Sequence, residues 1–227
     1  MKKTHFAKAI DELKIMLFEV ATLAEEATNI AVSAVESNNV NIATKVINDD
    51  TKIDALEIKI EEECLKILAL YQPVAGDLRN VITILKVNNE IERIGDLAVN
   101  IAERVADMNL YWESCCEKID FQLMVKMTCS MLKDALDSLA YEDVTKAVCV
   151  IRSDDIIDSY HKENYQKVRD YILKYPKEAQ YYMDCLTVSR CLERIADIAT
   201  NIAEDVVYLE SGTIVRHQHE GEEHARQ

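Results

Sequence analysis

Glycine and proline are scarce in this chain, which has four glycines and two prolines among 227 residues. Both residues mark turns, so a chain with so few of them has few turns and long secondary-structure elements. Aromatic residues make up only 6%, whereas helix formers such as leucine, alanine, glutamate and lysine are abundant. Because hydrophobic residues still make up 49%, the chain can bury a sizeable core, and we expect an all-α protein.

Positive charge is also in deficit, because 26 Lys and Arg stand against 41 Asp and Glu, a formal net charge of −15. Without a basic surface to neutralise phosphates, we expect no nucleic-acid partner and no attraction to anionic membranes. Suitable partners are cations or basic protein surfaces. No apolar run approaches the ~18 residues of a membrane span, and Asp11 and Glu12 interrupt the region where a signal peptide would be apolar. We therefore expect no direct membrane insertion.

The seven cysteines lack the Cys-x-x-Cys spacing of a zinc or redox motif, and their number is odd. A disulfide framework or structural zinc site is therefore not expected, and reduced thiols point to a cytoplasmic protein. The adjacent Cys115 and Cys116 are either redox-active or part of an ordinary segment between helices.

Apolar residues recur at helical spacing along six stretches, which form two sets of three. In the third and sixth, apolar stripes run from Ile84 to Val105 and from Val188 to Val206. Pro73 and Pro176 lie between stretches, as expected for turns, and Asp77 is a plausible N-cap for the third helix. The predicted helices are 4–36, 40–70, 77–111, 118–140, 143–174 and 178–210.

An internal repeat relates the two sets, because the segment Glu92–Asp96 (ERIGD) returns as Glu193–Asp197 (ERIAD). The residues that follow, Asn100–Glu103, return as Asn201–Glu204. A repeat on this scale indicates a duplicated unit, and short connections make neighbouring helices antiparallel. We therefore expect two tandem repeated antiparallel three-helix bundles.

The domains predicted from this repeat are a first bundle at 1–112 and a second at 113–210. The remaining segment, 211–227, is polar and contains three histidines. It either binds stray metal or is a disordered end, and we expect the latter.

Acidic residues of adjacent helices are predicted to meet in both halves. In an antiparallel hairpin, residues at equal distances from the turn lie at the same height. Turns centred at Pro73 and Pro176 then bring two acidic pairs together in each half. The facing pairs are Asp50 with Asp96 and Asp54 with Glu92 in the first hairpin, and Asp154 with Asp197 and Asp158 with Glu193 in the second.

Such clusters have two interpretations. Like charges at i, i+4 and across a hairpin repel, and a bound hard or borderline cation would relieve that repulsion. Mg²⁺, Mn²⁺, iron and Zn²⁺ are the candidates. The alternative is a solvated acidic face that a duplication simply copied. In the first half Glu57 and Glu61 continue the stripe, whereas the matching residues of the second are His161 and Tyr165.

Other chemistry finds little support in the sequence. A ferritin-like oxidase needs Glu-x-x-His motifs. The only similar spacing is a single Asp-x-x-His, at Asp158 and His161. The sequence has no Gly-rich phosphate loop of the Walker type. A carboxylate-cluster metalloenzyme and a purely structural helical scaffold remain as alternatives to a metal-binding protein.

At the repeated Glu-Arg-Ile-x-Asp segment the chain resembles the PhoU family, bacterial regulators of phosphate uptake. The resemblance covers nearly the whole chain, and two copies of the motif in this order are specific. The residues that carry it are Gln72–Arg79 (QPVAGDLR), Ile91–Glu103 (IERIGDLAVNIAE) and Leu192–Glu204 (LERIADIATNIAE).

The resemblance implies two three-helix bundles in a cytoplasmic negative regulator of the phosphate-starvation response, without catalysis. It also implies two partners, the ATPase of the phosphate ABC transporter and the phosphate-sensing histidine kinase. Family members carry metals on Glu/Asp-x-x-x-Asp motifs, which fall here on Glu92/Asp96 and Glu193/Asp197. The acids that would complete the sites are Asp50, Asp54, Glu57 and Glu61 in the first half, and Asp154 and Asp158 in the second. Long amphipathic helices also favour a homodimer.

The two halves depart from each other in ways that bear on the sites. Ala196 stands where the first copy has Gly95, and Gln72–Arg79 has no counterpart in the second half. His161 and Tyr165 replace acids there, so we expect the first, wholly acidic cluster to hold metal more tightly.

Overall fold

The computed structural model describes residues 2–212, with side chains from His5 onward. Between those limits it has helices and no strand, which confirms the expected all-α class. From residue 213 on, the predicted tail lies outside the described residues. The helices are α1 (Lys2–Ser37), α2 (Val40–Asp49), α3 (Thr51–Tyr71), α4 (Ala75–Asn109), α5 (Gln122–Tyr141), α6 (Val144–Ile151), α7 (Asp154–Lys174) and α8 (Ala179–Ser211), with a 3-10 turn at Pro176–Glu178.

The helix predicted at 40–70 is divided into α2 and α3 at Asp50. The backbone of Asp50 stays in the right-handed helical region, and its carbonyl accepts hydrogen bonds from the amides of Ile53 at 2.8 Å and Asp54 at 3.2 Å. The division at Asp50 is therefore only a local bend, across which the chain continues as a helix. It places the first predicted acidic residue at the start of α3.

The helix predicted at 143–174 is divided at the equivalent height, between α6 and α7. Ser153 Oγ donates to the carbonyl oxygen of Cys149 at 2.9 Å, and this kind of back-bonding bends helices. Asp154 begins α7 directly after the bend. In both halves a predicted metal ligand thus lies at a bend in a helix.

The start of α4 differs from the prediction. The helix begins at Ala75 rather than at residue 77, with extended Val74 before it, so Asp77 is not the N-cap. It lies in the first turn of the helix, where a carboxylate interacts favourably with the positive end of the helix dipole. Gln72, in the left-handed conformation at φ 49°, ends α3.

The two halves pack against each other through α4 and α8, which run antiparallel. Lys86 Nζ lies 5.7 Å from the centre of the Tyr208 ring near one end, and Arg104 Nη1 lies 3.6 Å from Asp184 Oδ1 near the other. Neighbouring helices follow in the order α3, α4, α8, α7, while α1 packs on α3 and α4, and α5 packs on α8 and α6.

The predicted apolar stripes form the centre of the core. In α4 and in α8, every member of the stripes that begin at Ile84 and Val188 is buried. They belong to one continuous hydrophobic cluster that spans both halves. With the core on one side, the opposite faces of α4 and α8 are left for the acidic residues.

No helix between residues 2 and 212 is both long and apolar enough to cross a bilayer. All seven cysteines are free thiols. Cys115 and Cys116 lie in the connection from α4 to α5, where burial raises the pKa of Cys115 and a hydrogen bond to Glu178 raises the pKa of Cys116. Raised thiol pKa values disfavour the reactive thiolate, so the structure gives this pair no sign of redox activity.

Candidate metal centres

Three carboxylates converge where α7 and α8 face each other. One oxygen each of Asp158, Glu193 and Asp197 lies within 4.8 Å of the others. Among the residues that the structure describes, no other group of three or more acidic, histidine or cysteine side chains comes this close together. The predicted pairing of Asp158 with Glu193 therefore corresponds to a real juxtaposition.

Asp154 extends this second cluster towards the bend between α6 and α7. Burial, followed by the charges of Asp197 and Asp158, raises the pKa of Asp154 to about 6. Its carboxylate accepts a hydrogen bond from Thr200 Oγ1 at 3.3 Å. The sequence argument missed Thr200, although it lies within the repeated segment.

The pKa values of Asp197 and Glu193 are also raised by their surroundings. Burial, then the charges of Glu193 and Asp158, raise the pKa of Asp197 to about 6. Burial and then Asp158 raise the pKa of Glu193. Burial first, and repulsion between the carboxylates second, thus disfavour the ionised cluster, and directly paired positive charge would relieve this.

Arginine does not supply that charge by direct pairing. Arg93 and Arg194 flank the cluster and favour the ionised form of Asp197, but only as minor contributions. Arg93 instead pairs with Glu90, at 2.8 Å between Nη1 and Oε2. Within residues 5–212, no lysine or arginine forms an ion pair with any of the four carboxylates of the second cluster.

The first hairpin brings its predicted acids to one face in a more open arrangement. Burial and then the charges of Asp54 and Asp96 raise the pKa of Asp50. Burial and then Asp96 raise the pKa of Glu92, with smaller effects from Glu57, Asp54 and Asp50. The compact group lies in the second half, whereas tighter metal binding by the first, wholly acidic cluster stays a prediction.

Gly95 marks a further difference between the halves. A Cβ at Gly95 would lie 3.0 Å from Ile53 Cδ1 and 3.2 Å from Asp50 Oδ1. The missing side chain thus lets the bend between α2 and α3 approach α4 closely. In the second half the same position is the fully buried Ala196.

Glu57 and His161, which continue the acidic stripes of α3 and α7, each contact a residue at the matching position of the facing helix. Asn88 Nδ2 donates to the carbonyl oxygen of Glu57 at 3.0 Å. In the second half, His161 Nδ1 lies 3.0 Å from Ser189 Oγ. Burial and then Arg190 lower the pKa of His161, which favours the neutral ring, and its Nδ1 atom contacts the Ser189 hydroxyl group.

The last members of the two predicted stripes are Glu61, whose charge contributes to the raised pKa of Glu57, and Tyr165. Glu61 is exposed on α3, and Tyr165 lines a separate groove between α7 and α8. Asn88 and Ser189 are neither acidic nor identical between the two halves, so they could not be singled out from the sequence.

Carboxylate oxygens in this arrangement suit hard or borderline cations such as Mg²⁺, Mn²⁺ or iron. Asp158 and Asp197 are exposed, and Glu193 is half-buried. A cation held here would therefore keep part of its hydration shell. It would neutralise charge that the described part of the protein leaves uncompensated.

Comparison with known proteins identifies the family of this fold. The model of the PhoU domain matches twice, at residues 17–105 and 121–206. A phosphate-specific transport system accessory protein PhoU homolog of Aquifex aeolicus is 38% identical, over 93% of this chain and 96% of its own. A PhoU homolog of Thermotoga maritima is 34% identical, over 92% of this chain and 90% of its own.

Solved structures agree with the sequence relationship. The crystal structure of PhoU from Pseudomonas aeruginosa superposes with a TM-score of 0.88 at 33% identity, covering 92% of this chain and all of that one. The phosphate transport system regulatory protein PhoU from Streptococcus pneumoniae gives a TM-score of 0.82 at 30% identity, covering 92% and 99%. The chain therefore belongs to the PhoU family, with two PhoU domains in tandem.

Proposed function

We propose that this protein is an accessory protein of phosphate transport that acts as a negative regulator of phosphate uptake and of phosphate-starvation signalling. Its relatives named as phosphate-specific transport system accessory proteins align over more than nine-tenths of the chain. In the proposed role it works in the cytoplasm, without catalysis, as an adaptor between the ATPase of the phosphate ABC transporter and the phosphate-sensing histidine kinase.

The proposal includes metal binding by both carboxylate clusters. The residues that would hold Mg²⁺, Mn²⁺, iron or Zn²⁺ are the acids of the second cluster, with a looser set in the first hairpin. The supporting observation is the convergence of Asp158, Glu193 and Asp197, in a setting that raises carboxyl pKa values and supplies no ion pair. A bound cation would contribute charge neutralisation between α7 and α8.

Metal analysis of the purified protein tests this part. We expect bound metal in the wild type, and loss of about half of it in the Asp158→Asn/Glu193→Gln variant. The Glu92→Gln/Asp96→Asn variant reports the first cluster in the same way. Asp11→Asn/Glu12→Gln removes two exposed acids of α1 and serves as the matched control. Equal, near-zero metal in all four proteins would refute both sites.

Binding assays with the purified transporter ATPase and the cytoplasmic part of the sensor kinase test the adaptor role. We expect each partner to retain the protein, with retention that differs between high and low phosphate. Absence of binding to either partner under both conditions would refute the adaptor role while leaving the metal result intact. Light scattering coupled to size exclusion tests the proposed homodimer separately.

A further inference from the structure

Arg93 lies on the side of α4 that faces the other half of the protein. From this side Lys86 reaches the ring of Tyr208 on α8, and Arg104 reaches the carboxylate of Asp184 on the same helix. Lys86 and Arg104 are 18 residues apart, which is about five full turns, and Arg93 lies about two turns after Lys86. The arginine that follows a predicted ligand of the first cluster is therefore directed towards the seam between the two halves.

Asp197 of the second carboxylate cluster lies on the matching side of α8. It comes 11 residues before Tyr208, which is about three helical turns. Because α4 and α8 are antiparallel, the two contacts between them fix their register. Between those contacts, Arg93 of α4 lies level with Asp197 of α8. The geometry thus brings an arginine of the first PhoU domain to the height of a carboxylate in the second.

The charge of Arg93 acts on the second cluster. Burial and the neighbouring carboxylates raise the pKa of Asp197, and Arg194 and then Arg93 oppose that rise. In the first cluster, burial and two carboxylates raise the pKa of Asp50, and no arginine of the described chain is among the causes. The electrostatics therefore agree with the helix geometry, and both direct Arg93 across the domain boundary.

Glu90 holds the guanidinium group of Arg93 in this seam. Arg93 Nη1 lies 2.8 Å from Glu90 Oε2, and the two side chains are 46% and 19% exposed. Because Glu90 precedes Arg93 by one helical turn, their ion pair is local to α4. It keeps the guanidinium group from closing onto Asp197 as a direct partner, so the positive charge stays near the cluster without occupying its oxygen atoms.

We propose that Arg93 of the first domain sets the cation affinity of the second carboxylate cluster. A fixed positive charge repels a divalent cation, so Arg93 weakens metal binding there, and its ion pair with Glu90 limits this effect. Over about 10 Å in water-like surroundings, such repulsion corresponds to about threefold in affinity at low ionic strength. The affinity of the second centre would then depend on how the two domains pack.

The inference rests on the proposed metal binding, so its test measures the second centre alone. The parent protein carries Glu92→Gln/Asp96→Asn, which removes two acids of the first centre. Into this parent we would introduce Arg93→Gln to remove the positive charge, Arg93→Lys to keep it, and Glu90→Gln to release it from its partner. Isothermal titration calorimetry with Mn²⁺ measures affinity at about 10 mM and about 0.5 M ionic strength. Circular dichroism shows whether each variant folds.

We expect Arg93→Gln to bind Mn²⁺ about threefold more tightly than the parent at low ionic strength, and Arg93→Lys to match the parent. Glu90→Gln should bind Mn²⁺ more weakly, because the released guanidinium group can approach Asp197. At about 0.5 M salt these differences should disappear. Arg169→Gln is the control and should change nothing, because this exposed arginine lies about 16 Å along α7 from Asp158.

Three results would overturn the proposal and leave the second metal centre standing. The first is an equal Mn²⁺ affinity of the parent and Arg93→Gln. The second is a difference that persists in about 0.5 M salt, because a change in structure rather than in charge would then be its cause. The third is an equal effect of Arg93→Gln in a protein that carries Asp158→Asn/Glu193→Gln and keeps only the first centre.

Absence of Mn²⁺ binding in the parent is a different outcome. It would refute the second metal centre itself and this inference with it. The adaptor role would be unaffected, since it is tested by binding of the transporter ATPase and the kinase.

Discussion

Ser189 Oγ lies 3.0 Å from His161 Nδ1 in the second hairpin, at the height where the first hairpin pairs Asn88 with Glu57. Asn164 Nδ2 also donates to Ser189 Oγ, at 3.1 Å. His161 thus contacts the hydroxyl group of Ser189 on α8, the helix that also carries Glu193. This contact separates the second carboxylate cluster from the apolar groove beyond it.

We expect Arg190→Gln to raise the pKa of His161. Burial is the main cause of the lowered pKa of this histidine, and the charge of Arg190 is the second, so removing the charge relieves only part of the effect. Titration of the imidazole signals by NMR measures it, with His161→Gln to assign the resonance. Lys162→Gln, which removes an exposed neighbouring charge, is the control and should shift the pKa less.

A second prediction concerns pH. In metal-free protein, the pKa of Asp154 is about 6 against an ordinary 3.8. Its contribution to stability is therefore fully present below about pH 4 and is lost as pH rises through about 6. We expect the free energy of unfolding of the wild type to fall over this range more steeply than that of Asp154→Asn. The half-exposed setting limits the difference to roughly 1 kcal/mol.

Urea unfolding at several pH values, in EDTA, measures this difference. Added Mn²⁺ should reverse the trend above pH 6, because metal binds the ionised carboxylates. Parallel curves for wild type and Asp154→Asn across pH 4 to 7 would show that Asp154 titrates normally in the folded protein.

Much of the second carboxylate cluster could be predicted from sequence, because it depends on the regular geometry of the α-helix and on the antiparallel packing of neighbouring helices. The helical repeat placed Asp158 and Asp197 on the outer sides of their helices, and the antiparallel hairpin set their heights. Both features follow from backbone geometry and tolerate small errors in the helix ends. The buried stripes beginning at Ile84 and Val188 were predictable for the same reason.

The bends at Asp50 and Ser153 could not be predicted in the same way. Each depends on a local contact, the Ser153 hydroxyl bonded to Cys149 or the close approach of α4 at Gly95. Such contacts leave no periodic signal. The spacing between carboxylate oxygens likewise depends on local packing, so counting acids in the sequence could not predict that the compact group would lie in the second half.

The third prediction compares how much stability is lost when arginine is removed from beside a buried acid and from an exposed ion pair. Asp184 is 2% exposed, and its carboxylate is contacted by Arg104 at 3.6 Å and Gln180 at 3.2 Å. Arg104→Gln leaves this buried acid without its cation, so we expect a loss of about 2 kcal/mol in unfolding free energy. Arg93→Gln, which removes a pair on the surface, should cost less than about 0.5 kcal/mol.

Chemical denaturation at pH 7 compares the two variants. Arg104→Met/Asp184→Leu tests the cause, since removing both charges should recover most of the loss. Equal stability of Arg104→Gln and Arg93→Gln would contradict the assigned role of Arg104 in joining α4 to α8.

The last prediction concerns the close approach at Gly95. Alanine is favoured over glycine in a helix by about 1 kcal/mol, but its Cβ would lie 3.0 Å from Ile53 Cδ1. We expect these effects nearly to cancel in Gly95→Ala. Ile53→Val removes the crowding methyl group, and it should cost about 1 kcal/mol in the wild type and less in the Gly95→Ala background. Denaturation of the two single variants and the double variant gives this coupling, and strictly additive effects would show that the α2–α3 bend can move away from α4. Ala196→Gly, at the matching buried site of the second half, should simply destabilise, because there the helix already accommodates the methyl group.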